Sequence, residues 1–324
     1  MRGIDQGQAV QHGPARDEAA LRGLTHGFFA MGCDCAVHLA ARDDGDLAPV
    51  ALAAEAEVRR IEARYSRFRP DSALSEINRQ AQAGGTLTVD PETAGLIAYA
   101  KAIFAKSDGA FDITSGVLRS AWNFETSTPP TPEALARLLP NVGLEHVGLD
   151  GDRLTFARSG LALDLGGLGK EYAADRAAEV CQALGARSGF VDLAGDIRII
   201  GPQPDGRPWI IGVRHPRRPD ALIAKVPLWA GALATSGDYE RFMEVAGRRH
   251  GHILDPRTGW PARGVCSVTV LADDCLNAGA LATAALVMGP DAGRWLAALG
   301  VEHILVDEAQ VCAASEGLRS NLLV

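Results

Sequence analysis

The chain has 324 residues, 47% of them hydrophobic and 22% charged, which is ordinary globular composition and enough for one large domain or two smaller ones. A formal net charge of -8 leaves no basic footprint for nucleic acid, and no apolar run is long enough to span a bilayer. The six cysteines (33, 35, 181, 266, 275 and 312) form no CxxC pair, and Cys33-Asp34-Cys35 is too tight for half of a zinc site. They read as mostly buried small hydrophobes in a reduced protein, with Cys33 and Cys35 on alternate faces of a strand.

In chain order, residues 1–25 are polar and Gly-rich and read as a flexible arm ahead of a domain spanning 26–324. The arm lacks the charged, apolar, small-residue layout of a signal peptide, which points to the cytoplasm for the chain as written and to the periplasm if a signal was trimmed. "FFAMGCDCAVHLA" (28–40) reads as one strand. Ala54, Val58, Ile61 and Tyr65 fall on one helical stripe. After a turn at Pro70-Asp71, residues 90–107 carry a helix with Asp90 as N-cap, Pro91 in the first turn and Gly109 just past the end. Its apolar face is Leu96, Ile97, Ala100, Ile103 and Phe104. A proline-rich loop (126–135) leads into a short helix.

Residues 161–186 read as strand, glycine turn and helix, the helix burying Ala173, Ala177, Val180 and Leu184. Strands follow at 189–201, 209–216, 221–237 and 264–274, most with no room for a helix between them, so antiparallel hairpins are expected rather than βαβ units. A helix at 276–288 and a strand at 303–307 close the chain. The pattern is α+β.

Four segments place glycine and small residues beside a carboxylate: "SDGAFDITSG" (107–116), "DLGGLGKEYAAD" (164–175), "DLAGD" (192–196) and "ATSGDYER" (234–241). Adjacent glycines let a backbone approach a ligand, and a helix start offers N–H groups to an anion. The spacing is neither GxGxxG nor a P-loop, and a plain strand-to-helix turn explains any one of them equally well. Together they suggest a ligand with phosphates and a long body. A fifth segment, "HILDPRTGWP" (252–261), gathers a histidine, an aspartate and an arginine at a bend whose Asp-Pro and Thr-Gly pairs are ordinary turn dipeptides.

These segments, preceded by Met31-Gly32 and by Ser66, Phe68, Ser72, Leu74 and Asn78, and followed by "SVTVLA" (267–272), resemble in their order the ApbE family, the FAD:protein FMN transferases. The resemblance runs from about residue 28 to the C-terminus. It implies a single α+β domain related to the T-fold, with antiparallel sheets and flanking helices, that binds FAD and a divalent metal, usually magnesium. The implied reaction cuts FAD at its pyrophosphate and passes FMN as a phosphoester to a threonine of an acceptor flavoprotein. His252 maps to the general base, a role that suits a histidine of near-neutral pKa. Asp255 would hold the turn, Pro256 and Gly259 would fix the bend, Arg257 would sit near phosphates, and His250 is expected to be a solvated partner on the preceding strand. The implied flavin contacts are Met31, Phe68, Ala110, Phe111, Asp112, Gly166, Tyr172 and Leu254. Ordinary core is the alternative for Phe68, Phe111 and Leu254, and at Phe68 the family often has Tyr.

The metal set departs from the family. Thr283 and the Gly169 carbonyl are present, but the aspartate position is Gly279 and a second acidic position is Ala282. Asp273 and Asp274 lie upstream as substitutes. The chain is therefore expected to bind FAD with little dependence on Mg2+, and Gly279→Asp is expected to rebuild the site. Two alternatives to the transferase stay open: an FAD-binding carrier or assembly factor that has lost metal-dependent transfer, and an FAD pyrophosphate hydrolase giving FMN and AMP.

Overall fold

A computed structural model of the chain describes residues 22–41, 45–124, 128–245 and 247–323. Most of the expected arm, residues 1–21, and part of the proline-rich loop lie outside the described residues. The N-terminal half contains β1 (Arg22–Ala30), β2 (Cys33–Ala41), α1 (Ala48–Tyr65), α2 (Ala73–Ala83), β3 (Gly85–Thr88), α3 (Pro91–Lys106), α4 (Pro132–Leu138), β4 (Val147–Asp150) and β5 (Arg153–Phe156). Then come α5 (Gly169–Ala183), β6 (Gly189–Leu193), β7 (Asp196–Gly201), β8 (Trp209–His215), β9 (Arg218–Leu228), β10 (Ala232–Gly237), β11 (Phe242–Val245) and β12 (Arg248–Gly251). The last elements are β13 (Val265–Ala272), α6 (Cys275–Met288), α7 (Ala292–Ala298), β14 (His303–Asp307) and β15 (Cys312–Ala314).

Among the described residues every ladder is antiparallel, and eight strands make one sheet in the order β1-β2-β6-β7-β10-β13-β14-β15. The α+β class is as the sequence predicts. Helices α1, α5 and α6 pack on this sheet. Ile197 and Ile199 of β7, with Ile304 and Val306 of β14, instead join the β8–β9 hairpin in a second apolar cluster. Side chains of a strand alternate between faces, so one sheet serves both cores.

The single strand expected over 28–40 is in fact two. Met31 (φ 55°) and Gly32 (φ 74°) both take the left-handed region and form a two-residue turn, which suits the twist of the flanking strands. The strand before it starts at Arg22, so residues 22–25 of the expected arm pair with 38–41. Cys33 and Cys35 share a face rather than alternating, with their Sγ atoms 3.8 Å apart, because residues two apart on a strand point the same way. All six cysteines are free thiols.

The helix stripes hold in α1 and α3. Ala54, Val58, Ile61 and Tyr65 are buried, and Asp90 caps α3 by accepting from the Glu92 and Thr93 N–H groups. Helix α5 turns differently. It buries Ala173, Ala174, Ala177, Ala178 and Cys181, while Val180 is half-buried and Leu184, the C-cap, is 55% exposed. Helix α5 packs between α1, α6 and the sheet, so small residues are buried over a wider arc than one stripe.

Residues 161–165 join no ladder, contrary to expectation. Side-chain amides of α2 take the place of a neighbouring strand. Asn78 Oδ1 accepts from the Leu163 N–H (2.7 Å), and its Nδ2 donates to the Leu163 carbonyl (2.9 Å). Gln82 Nε2 donates to the Leu161 carbonyl at 3.0 Å. This clamp positions the segment that leads into the glycine turn. Asn78→Ala strands both backbone groups of a buried residue and should lower stability by about 1–3 kcal/mol, read as a reduced denaturant midpoint with an unchanged slope.

Candidate functional site

All five polar turns of the sequence meet at one cavity of about 800 Å³, in the size range of small-molecule sites. The β1–β2 turn contributes Met31, held there by a 2.6 Å hydrogen bond from its N–H to Glu62 Oε1. The β6–β7 turn contributes Ala194 and Asp196, and the end of β10 contributes Thr235, Ser236 and Gly237.

One part of the lining is cationic. Arg67, Arg119, Lys170 and Arg241 all reach it. Asp164, 8% exposed, pairs with Arg67 Nη1 at 2.9 Å and with Arg119, and its Oδ1 accepts from the Gly166 N–H at 2.8 Å. Lys170 Nζ lies 2.5 Å from Asp196 Oδ2. Burial works against the Lys170 ammonium, but the Asp196 and Glu171 carboxylates hold its pKa above the ordinary lysine value. Helix α5 opens here at Gly169 with no side chain capping it, the Gly169 N–H donating to the Leu165 carbonyl at 2.7 Å. Together the cations give this part of the wall the charge and hydrogen-bond donors that suit an anion.

The rest is apolar and aromatic. Phe68 is 79% exposed, with the Arg67 guanidinium 4.5 Å above its ring, so it is not core. Phe111 and Ala110 are buried at the cavity wall, and Leu254 packs with a small cluster around Trp122. An exposed ring at a cavity gains most from a flat aromatic ligand laid against it. Gly166 lines the same cavity, as does Asp112. The Asp112 carboxylate, however, is taken up by the Thr114 N–H and hydroxyl and the Leu144 N–H. Burial pushes its pKa up.

Three expected placements fail. Tyr172 does not line the cavity, because its hydroxyl donates to Glu92 Oε1 of α3 at 2.9 Å. Arg257 turns away to Asp255 (2.8 and 2.9 Å) and to a separate hollow with Trp295. His250 is buried rather than solvated, lying beside the Trp122–Trp260 ring pair at 6.2 and 6.4 Å.

The 252–261 bend rests on that aromatic cluster. Trp122 Nε1 donates to the Gly259 carbonyl at 2.8 Å, the Gly259 N–H donates to the Asp255 carbonyl at 2.8 Å, and Gly259 has φ 73°. The bend presents His252 to the cavity. Both its backbone N–H (3.0 Å) and its Nδ1 (3.2 Å) meet the Arg241 carbonyl. A carbonyl only accepts, so Nδ1 carries the proton and Nε2 keeps a lone pair. The pKa is not near neutral as expected. Burial, then the charges of Arg119, Arg241 and Lys170, push it down to about 4 against the pull of the Arg241 carbonyl.

Of the expected metal donors, Gly169 and Thr283 line the cavity, with Thr283 Oγ1 2.9 Å from Ser236 Oγ. Asp274 is spent as the N-cap of α6, accepting from the Asn277 N–H (2.7 Å) and Nδ2 (2.8 Å). Neither Asp273 nor Asp274 lines the cavity. Among the described residues no three His, Cys, Asp or Glu side chains are grouped to hold a metal by themselves. The expected repair at Gly279 would have to displace the Glu171 side chain, since a Cβ there would lie 2.3 Å from Glu171 Cγ. Glu171 lines the cavity from α5, and burial, reinforced by Asp196, pushes its pKa up.

The family model described as "ApbE family" matches residues 31–305. The chain belongs to the ApbE family. An FAD:protein FMN transferase of Haemophilus influenzae is 30% identical over 269 residues, covering 78% of each chain. Two solved ApbE structures superpose on nearly the whole fold. The ApbE protein of Thermotoga maritima has a TM-score of 0.85 at 36% identity, covering 91% of this chain and 98% of its own. The flavinyl transferase ApbE of Pseudomonas stutzeri, in its apo form, has a TM-score of 0.82 at 29% identity, covering 94% and 98%. Against this ApbE background, the groups that sequence reading missed are Arg67, Arg119, Lys170, Glu171 and Arg241. Lys170, Glu171 and Arg241 stood inside quoted motifs, whereas Arg67 and Arg119 carry no local signal beyond their charge.

His252 also makes stability depend on pH. The unfolded chain binds its proton near pH 6.5, the folded chain only near 4. The contribution is thus complete above about pH 6.5 and is lost as pH falls toward 4. Urea midpoints taken across that window should fall more steeply for wild type than for His252→Gln. Parallel slopes would show that the imidazole is not held neutral.

Proposed function

We propose that the protein transfers FMN from FAD to a threonine hydroxyl of an acceptor flavoprotein. The observation that carries this reading is the neutral imidazole of His252, its Nε2 lone pair beside Arg119, Arg241 and Lys170 in one cavity. The cations would bind the pyrophosphate, and Met31, Phe68, Ala110, Phe111, Gly166 and Leu254, with the backbone at Asp112, would hold the aromatic body. His252 Nε2 takes the proton of the acceptor hydroxyl, and that oxygen attacks the phosphorus of the FMN half. The bond from this phosphorus to the bridging oxygen breaks, and AMP leaves with the electron pair. Charge in such a transfer is stabilised by pre-placed donors, here Arg119, Arg241 and Lys170. The bound phosphates would also raise the proton affinity of His252, bringing a strongly depressed imidazole toward a useful range.

Magnesium fits the donors present. The set is all oxygen, as hard cations require, and the buried Oε2 of Glu171 has no hydrogen-bond partner. The Gly169 carbonyl and the Thr283 hydroxyl would help hold the ion. When bound, it supplies charge neutralisation on the phosphates.

Incubation with FAD, magnesium and an acceptor threonine peptide should add FMN to the threonine, read by mass spectrometry. His252→Ala should slow this by roughly 10²–10⁴-fold while leaving FAD affinity unchanged. Free FMN and AMP without an adduct would favour the hydrolase, and bound FAD with neither product would favour the carrier.

A further inference from the structure

Five buried acids surround the head of α5, and four are satisfied. Asp112 accepts from Thr114 and Leu144, Asp164 pairs with two arginines, Asp196 pairs with Lys170, and Asp175 accepts from the Cys275 and Leu276 N–H groups at 2.8 Å each. Glu171 is the exception. Its side chain lines the cavity, the residue is 5% exposed, and Oε2 has no hydrogen-bond partner. Buried polar atoms are ordinarily paired, and an unpaired one in a cavity wall calls for a partner that enters the cavity.

Its position narrows the partner. A Cβ on Gly279 would lie 2.3 Å from Glu171 Cγ and 2.8 Å from both Cδ and Oε1, so Glu171 occupies the space a side chain at 279 would enter. Gly279 and Thr283 are one helical turn apart on α6 and share a face. The Glu171 carboxyl therefore reaches the face that carries the Thr283 hydroxyl, from a position two residues after Gly169. A carboxyl, a hydroxyl and a carbonyl are oxygen donors, and magnesium commonly takes one or two carboxylates and completes its shell with water and substrate phosphates.

We propose that the Glu171 carboxylate is a ligand of the divalent cation, supplied from α5 in place of an aspartate at position 279 of α6. The proposal rests on the transferase reading above.

Manganese serves as the probe, its free ion followed by electron paramagnetic resonance, with the full chain and FAD and no acceptor. Glu171→Gln keeps the shape and removes the charge. The Kd for Mn2+ in the presence of FAD should rise at least ~10–100-fold, the loss typical even of residues one step removed from a metal. A folded Glu171→Gln that keeps wild-type Mn2+ affinity overturns the proposal. If that variant does not fold, wild-type crystals holding FAD and Mn2+ decide. An anomalous peak within about 2.0–2.6 Å of a Glu171 carboxylate oxygen is expected, and a manganese bound without that oxygen overturns it. Failure of wild type to bind FAD at all would instead remove the transferase reading, and this one with it.

Discussion

The ion pair between Lys170 and Asp196 is the constraint on which the site depends. Its atoms are 2.5 Å apart, and the aspartate side chain is only 3% exposed. A carboxylate taken so far out of water is tolerated only when paired, so closing the pair fixes where the start of α5 sits. Asp196 is the first residue of β7, and its Oδ1 also accepts from the Thr235 N–H of β10 at 3.4 Å. One helix and two sheet strands are thereby fixed against each other. The Gly169 carbonyl and the Glu171 carboxyl take their positions from that junction.

What the sequence made legible was mostly local. The cap at Asp90 and the stripe from Ala54 to Tyr65 are short-range patterns, and they hold. The ordered motifs carried the family and brought His252 to the cavity. The failures have a common origin in partners far away along the chain. A hairpin hidden in residues 28–40 needed Met31, not a glycine, in the left-handed region, and composition gives no sign of that. The expected strand at 161–165 is replaced by amides from residues 78 and 82. Tyr172 and Arg257 were assigned by motif, but Glu92 and Asp255 compete for them. The pKa of His252 depends on three cations that come from elsewhere in the chain.

Gly279 reads differently in the sequence and in the fold. Read alone, a glycine in the aspartate position suggests a lost metal site and a carrier protein. In the fold, that glycine is the room into which Glu171 extends. A conformationally permissive residue inside a helix is a poor helix former, and its presence in α6 has a packing reason here. The same contact removes the ground for expecting Gly279→Asp to act as a simple repair.

The contact between Glu171 and Gly279 also shapes how such a chain can change over generations. Any side chain at 279 collides with the glutamate while it remains, and losing the glutamate first leaves a hole and no carboxylate. A change at one position is therefore felt at the other. Residues in direct contact behave this way when their effects do not add. Positions 171 and 279 therefore constitute one coupled unit split across two helices, in which what either position tolerates is set by the residue at the other.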